Sequence, residues 1–282
     1  MSPRPSGFDG IADRYERDSL VQKAASERLL DLLPIGPRDD VLDLGCGTGH
    51  LSERIGRMIS GRVVGIDPSV RMIAQAIADH GGEHLHFRVG TAETLTERAR
   101  FDVIFCNSAF QWFRDPRGAL ESCRRALRPG GRMGVQAPAG ARYCPNFLLA
   151  LDDVAADADA GPVFAGFRSP WFFLESADQY AGLFEATSFR VELARIDVTR
   201  SRCAPDDVMR VFESGAAAGY LDPRNYAVPL QDGYPELFGR LLRSSFEAQR
   251  DDDGLVDLVF NRIYVVATAL DEPAAQDPTS RR

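Results

Sequence analysis

The residues best placed for chemistry begin at Asp43-Leu44-Gly45-Cys46-Gly47-Thr48-Gly49. Gly45, Gly47 and Gly49 let the backbone turn sharply and approach a ligand closely, which side chains would prevent. A helix after such a loop presents unpaired N–H groups at its amino end. Dinucleotide enzymes hold pyrophosphate there, with the spacing Gly-x-Gly-x-x-Gly. Here the spacing is Gly-x-Gly-x-Gly, and Asp43 stands just before it. A carboxylate in that place repels pyrophosphate but accepts hydrogen bonds from an ammonium group. Asp67 ends the next apolar run, about 20 residues on, where an acid takes ribose hydroxyls. Pro68 and Ser69 follow it, and Met72, one helical turn later, is placed to pack on an adenine face. Gly90-Thr91-Ala92-Glu93 closes a third apolar run, where an adenine edge would lie. The plain alternative is a strand-turn-helix whose acids only cap helices.

The elements that must position these residues follow from periodicity. Ser19 to Leu33 carry Leu20, Val21, Ala24, Ala25, Leu29, Leu32 and Leu33 on one helical stripe, which Pro34 ends. Strands are expected at 41–44, 62–66, 84–89, 101–106, 132–136, 190–199 and 255–269. Helices fall between them at 51–59, 70–78, 117–127 and 176–186, with Pro129-Gly130-Gly131 ending the third. This alternation predicts an α/β fold: a Rossmann-like, doubly wound, seven-stranded, mostly parallel sheet with helical lid insertions. The last strand is expected to be antiparallel and to seek an edge. Residues 1–37 form cap helices, and 38–137, 175–199 and 255–270 the core. Residues 138–174 (with a helix at 146–157) and 200–254 cover the substrate, and 271–282 form a polar tail without fixed structure.

Composition narrows the function. With 33 Lys and Arg against 41 Asp and Glu, the net charge is −8, and the two signs are mixed along the chain. A nucleic-acid binder needs a basic stripe to displace counterions, so no nucleic-acid partner is expected. No apolar run approaches the ~20 residues that span a bilayer, so no membrane partner is expected. The amino terminus lacks the basic start and apolar stretch of a signal peptide. The five cysteines have no Cys-x-x-Cys pair and read as reduced thiols of a cytoplasmic protein. No metal site is expected; Asp251-Asp252-Asp253-Gly254 reads as a solvated turn.

The methionine part of S-adenosylmethionine carries an ammonium and a sulfonium, which suits Asp43. The successive blocks VLDLGCGTG, VVGIDPS, VGTAETL, FDVIFCNSAFQW and LRPGGRMGVQAP also resemble, in order, those of the class I S-adenosylmethionine-dependent methyltransferases. The likeness is to the branch of trans-aconitate and malonyl-carrier-protein O-methyltransferases. The opening FDGIADRYERDSLVQKAASERLL is similar to the carrier-protein enzymes, and QAP with LVFNRIYVVA to the trans-aconitate type. The resemblance implies S-adenosylmethionine as cofactor and S-adenosylhomocysteine as product. It implies that Tyr15 and Gln22 close over the donor and that Asn107 and Ser108 line its methionine portion. One departure is Thr91, where the family usually has an Asp on the adenine amino group.

On the acceptor side, Cys106-Asn107-Ser108-Ala109-Phe110 lacks the Asn-Pro-Pro-aromatic run that holds a flipped base. Gln111 and Trp112 stand where the family's substrate approaches. In relatives that methylate carboxylates, residues matching Gln22 and Trp112 orient the acceptor. These two are therefore the expected catalytic pair. A carboxylate is ionised at neutral pH and needs no general base. The expected substrate is a small molecule, a carboxylate or a carrier-bound acyl group, methylated on oxygen. Arg168, in an aromatic group with Phe164, Phe167, Trp171, Phe172, Phe173 and Tyr180, is an anchor candidate, although the group equally reads as a hydrophobic cluster. Arg262, on one face of the last strand with Tyr264, is a second. Two other readings keep the donor: an enzyme releasing methylthioadenosine by intramolecular attack, and a non-catalytic binding module.

Overall fold

A computed structural model describes residues 20–270, with side chains from Ala24 onward. The calls on Tyr15, on the side chain of Gln22 and on the tail lie outside the described residues.

Seven strands form one sheet: β1 (Val41–Leu44), β2 (Val63–Asp67), β3 (Leu85–Val89), β4 (Phe101–Asn107), β5 (Leu127–Pro138), β6 (Phe189–Cys203) and β7 (Val256–Ala269). Their order is β3-β2-β1-β4-β5-β7-β6. Parallel pairing runs from β3 to β5, and β7 is antiparallel to both its neighbours. The sheet is thus Rossmann-like, with strand order reversing between β1 and β4. Helices α1 (Leu20–Leu32), α2 (His50–Met58), α3 (Val70–His80), α4 (Pro116–Ala126) and α7 (Ala177–Glu185) accompany it. Local chemistry sets their starts. Ser69 Oγ accepts the Met72 N–H at α3, and Asp115 Oδ1 accepts the Gly118 N–H at α4, where Pro116 sits in the first turn. Ser176 and Gln179 form a capping box at α7.

Two expectations are corrected. β7 lies between β5 and β6, and β6 takes the edge. Ile263-Tyr264-Val265-Val266-Ala267 is buried without a break, the pattern of a strand covered on both faces. β6 instead exposes Arg190, Glu192 and Arg200, charges that suit an edge. Pro129-Gly130-Gly131 does not end α4. The helix stops at Ala126, and these residues form an irregular start to β5, where the pairing with β4 shifts register.

The remaining helices are α5 (Pro145–Ala156), α6 (Ala160–Phe164), α8 (Pro205–Glu213), α9 (Ala217–Tyr220) and α10 (Tyr234–Ala248). They share a second core, in which Phe147, Phe212, Phe238 and Phe246 meet Leu258 and Phe260 of β7. These five helices therefore pack together as one helical cover against the outer end of β7. Among the described residues no helix is long and apolar enough to cross a membrane.

Close packing also fixes α1. A Cβ at Gly134 of β5 would lie 2.7 Å from Leu33 Cδ2 and 3.2 Å from Leu29 Cδ1. Gly134→Ala should therefore cost about 1–3 kcal/mol by overpacking. In urea unfolding, pairing it with Leu33→Ala should cost clearly less than the sum of the two single changes. Simple additivity would show that α1 does not rest on Gly134.

Candidate functional site

Three strand ends make the first half of the site. The loop after β1 holds Gly45, Gly47 and Gly49 at φ of 80°, 56° and 87°, a region that favours glycine. A Cβ at Gly45 would fall 2.3 Å from the Ala109 Cβ, and one at Gly49 would fall 2.6 Å from the Phe87 ring. Cys46 is buried beneath the loop. Thr48 Oγ1 is a buried polar atom with no hydrogen-bond partner.

Asp43 is buried, and its Oδ2 accepts a 2.5 Å hydrogen bond from Ser52 Oγ of α2. Burial pushes its carboxyl up to about 7, against the pull of Ser52 and helped by the negative charge of Asp67. Asp67 accepts the Gly47 N–H at 3.1 Å and the Ser69 N–H at 2.8 Å, so it ties the glycine loop to the start of α3. Met72 is buried on that helix. The Gly90 N–H donates to the Asp67 carbonyl, which brings Thr91 and the buried Ala92 beside the end of β2. Glu93 is exposed and accepts the Arg114 N–H at 3.1 Å.

The second half lies across the switch point. Ser108 follows β4 with φ of 54°, unfavourable for a residue with a side chain. Gln136, fully buried in β5, holds it there. With its amide oriented to satisfy its surroundings, Nε2 donates to Asn107 Oδ1 and Ser108 Oγ, both at 3.0 Å. Its Oε1 accepts from Arg262 Nη1 at 3.0 Å. Gln136 was not singled out from sequence, although a lone amide in the apolar run Val135-Gln136-Ala137 is the signal that could have found it.

Beyond Ser108 opens a cleft continuous with solvent. Gln111, Trp112 and Arg262 line it on the sheet side. Tyr143, Phe147, Trp171, Phe173 and Phe260 line it on the cover side. Trp112 and Trp171 meet edge to face, with ring centroids 5.5 Å apart. Arg262 is 3% exposed, its guanidinium stands 4.5 Å over the Phe260 ring, and its Nε has no hydrogen-bond partner. Burial pulls its pKa downward.

The aromatic group read from sequence divides along an extended strap. Trp171 and Phe173 pack into the cover, whereas Phe172 and Leu174 pack on the sheet core. The Phe172 N–H donates to the Gln111 carbonyl at 2.8 Å and fastens the strap to the turn Phe110–Trp112. Two expected substrate residues are not among those lining the cleft. Tyr180 is buried in the sheet core, where its hydroxyl accepts the Leu174 N–H. Arg168 is exposed outside the cleft, its backbone N–H bonded to the Asn225 carbonyl. The cover residues Tyr143, Phe147 and Phe260 gave no local signal, because chain segments far apart in sequence bring them together.

Residues 42–135 match a family model described as a methyltransferase domain. The trans-aconitate 2-methyltransferase of Rhizobium meliloti is 28% identical over 93% of this chain and 95% of its own length. The malonyl-[acyl-carrier protein] O-methyltransferase of Hahella chejuensis is 36% identical over 45% of this chain. That match takes in 46% of the relative, so the chain spans about half the length of this curated protein. Among solved structures, a chain from a Haloferax volcanii methyltransferase–activator complex superposes with a TM-score of 0.58. It is 18% identical, with 95% of this chain and 97% of that one covered. A [4+2]-cyclase superposes at 0.57, with 17% identity and coverage of 96% and 99%. These structural likenesses carry the fold alone. Residues 42–135 are thus a methyltransferase domain, set in a Rossmann-like sheet of the kind these proteins share.

Proposed function

We propose that the protein methylates a carboxylate oxygen of a small organic acid. The observation that carries this reading is Arg262: a buried guanidinium with an unpartnered Nε, lining a cleft that starts at Ser108 and Trp112. The names of the relatives, a trans-aconitate and a malonyl-carrier O-methyltransferase, support the same chemistry. Five free thiols support a cytoplasmic setting.

The donor half fits S-adenosylmethionine. Its glycine loop excludes side chains, its carboxylates suit a cation and a ribose, and Thr48 offers an unpartnered hydroxyl. Asp43, Asp67, Met72, Ala92, Asn107 and Ser108 would hold the donor, which supplies a methyl group on a good leaving group. The chain's own work is placement. Arg262, steadied by Gln136, takes one carboxylate oxygen by a charge-assisted hydrogen bond and leaves the other free to attack. Trp112 confines the approach. Holding two reactants in line is worth up to about 7–11 kcal/mol, so no proton acceptor is required.

Methyl transfer neutralises the carboxylate, so its attraction to Arg262 is weaker in the transition state than before it. Arg262→Gln should therefore act mainly on binding. A charged hydrogen bond of about 1.5–3 kcal/mol predicts a KM for the acid raised roughly 10–100-fold, with a smaller change in kcat. A loss confined to kcat would remove Arg262 from acceptor binding.

Donor affinity should depend on pH through Asp43. An ammonium ligand needs the ionised carboxylate, and its carboxyl titrates at about 7. Affinity measured by calorimetry should be about tenfold weaker at pH 6 than its plateau above about pH 8, and Asp43→Asn should flatten this profile. The same shift acts oppositely on the free fold. Between the ordinary carboxyl value of 3.8 and about 7 the folded state keeps a proton that the unfolded chain has lost. Stability from this group therefore falls as pH rises through that window.

The reaction is tested by incubating the protein with S-adenosylmethionine and organic acids and analysing products by mass spectrometry. A methyl ester with S-adenosylhomocysteine is expected. Methylthioadenosine in its place, or no donor binding, would overturn the reading.

A further inference from the structure

The lining of the cleft constrains the acid more closely than the carboxylate reading does. Among the described lining residues, Arg262 is the one formal charge, and no acidic side chain joins it. No described ion pair engages it either, and the nearest ring is that of Phe260, a face that tolerates a cation but supplies no counter-charge. A buried cation of this kind gains most from one anionic group brought to it.

A second carboxylate on the same molecule would meet different surroundings. Tyr143, Phe147, Trp171, Phe173 and Phe260 present mostly ring carbon. The Tyr143 hydroxyl is already engaged at 3.2 Å with that of Tyr220. Burial pushes the Tyr143 phenol well above its ordinary value, a measure of how poorly this wall solvates an anion. Across the cleft, Gln111 Nε2 is taken by the Ser108 carbonyl at 2.8 Å. An additional ionised group would thus lose its water without gaining a cation. An apolar body, by contrast, gains from every ring it covers.

We propose that the acceptor is an amphiphilic monocarboxylic acid, its carboxylate on Arg262 and its aromatic or alkyl body against the rings of Tyr143, Phe147, Trp171, Phe173 and Phe260. The proposal rests on the carboxylate reading, and binding can be measured apart from methylation. The protein has two tryptophans, Trp112 and Trp171, and both line the cleft. Ligand entry should therefore change the tryptophan fluorescence, to which no tryptophan elsewhere in the chain contributes.

The test titrates the intact chain, with S-adenosylhomocysteine present, against phenylpropanoate, octanoate, the primary amides of both, trans-aconitate and malonyl-pantetheine. Ester formation is followed in parallel with S-adenosylmethionine. The two monocarboxylates should bind at least about tenfold more tightly than their amides, trans-aconitate and malonyl-pantetheine. The preference for acid over amide should vanish in Arg262→Gln. The amide comparison in the unaltered protein keeps the charge claim testable if that variant fails to fold. Tighter binding of trans-aconitate or malonyl-pantetheine, equal binding of acid and amide, or no binding by either monocarboxylate would each overturn the proposal. Binding of the monocarboxylates with no ester from any acid would sustain it and sink the methylation reading. Esters formed best from trans-aconitate would do the reverse.

Discussion

The structure depends first on how closely two loops meet at the switch point of the sheet. Gly45 and Ala109 approach so tightly that a single added carbon at Gly45 would sit 2.3 Å from the Ala109 Cβ. That contact puts the donor loop after β1 against the turn that carries Gln111 and Trp112 after β4. Strand order reverses between these two strands, so neither is followed by a helix that would close the crevice from the same side. Side chains larger than hydrogen at Gly45 would separate the two halves of the site, and the reactants with them.

A buried polar knot then sets the geometry on the acceptor side. Asn107 and Ser108 at the end of β4, Gln136 of β5 and Arg262 of β7 are joined by the Gln136 side-chain amide, and the Ser108 N–H also donates to the Gln136 carbonyl at 2.8 Å. Ser108 is kept in a left-handed conformation that costs on the order of 1–3 kcal/mol, and the hydrogen bond from Gln136 to its hydroxyl helps to offset it. Such a knot is costly if partly satisfied, because an unpaired buried group forfeits its hydration. Here the unpaired atoms, Arg262 Nε and Gln111 Oε1, both belong to residues that line the cleft.

Legibility from sequence followed the range of the interactions. The strand ends carrying Asp43 and Asp67 were readable because glycine spacing and apolar runs are local, and their elements fall within a residue or two of expectation. The placement of β7 was harder, since its alternation spoke for an edge while its central run was buried on both faces. The strap 171–174 carried a period of two that assigns Phe172 to the sheet and Trp171 to the cover, but only once the two layers are known. Arg168 was the first anchor candidate and Arg262 the second. What separates them is register: Arg262 pairs with Pro138 at the carboxyl end of β5, and Arg168 lies in a surface segment bonded to Asn225.

The position of β7 also ties the helical cover to the sheet. Its inner half, Ile263 to Ala269, belongs to the sheet core, and its outer half, Val256 to Phe260, belongs to the core of the cover. Arg262 falls at the junction. Motion of α5, α8 and α10 relative to the sheet must bend β7 or β6 near this residue, because both strands run through the boundary with continuous pairing. Arg262 thereby contacts both Gln136 of the sheet and the ring of Phe260 in the core of the cover. The residues that meet in the cleft come from segments more than a hundred residues apart, as Tyr143 and Phe260 do.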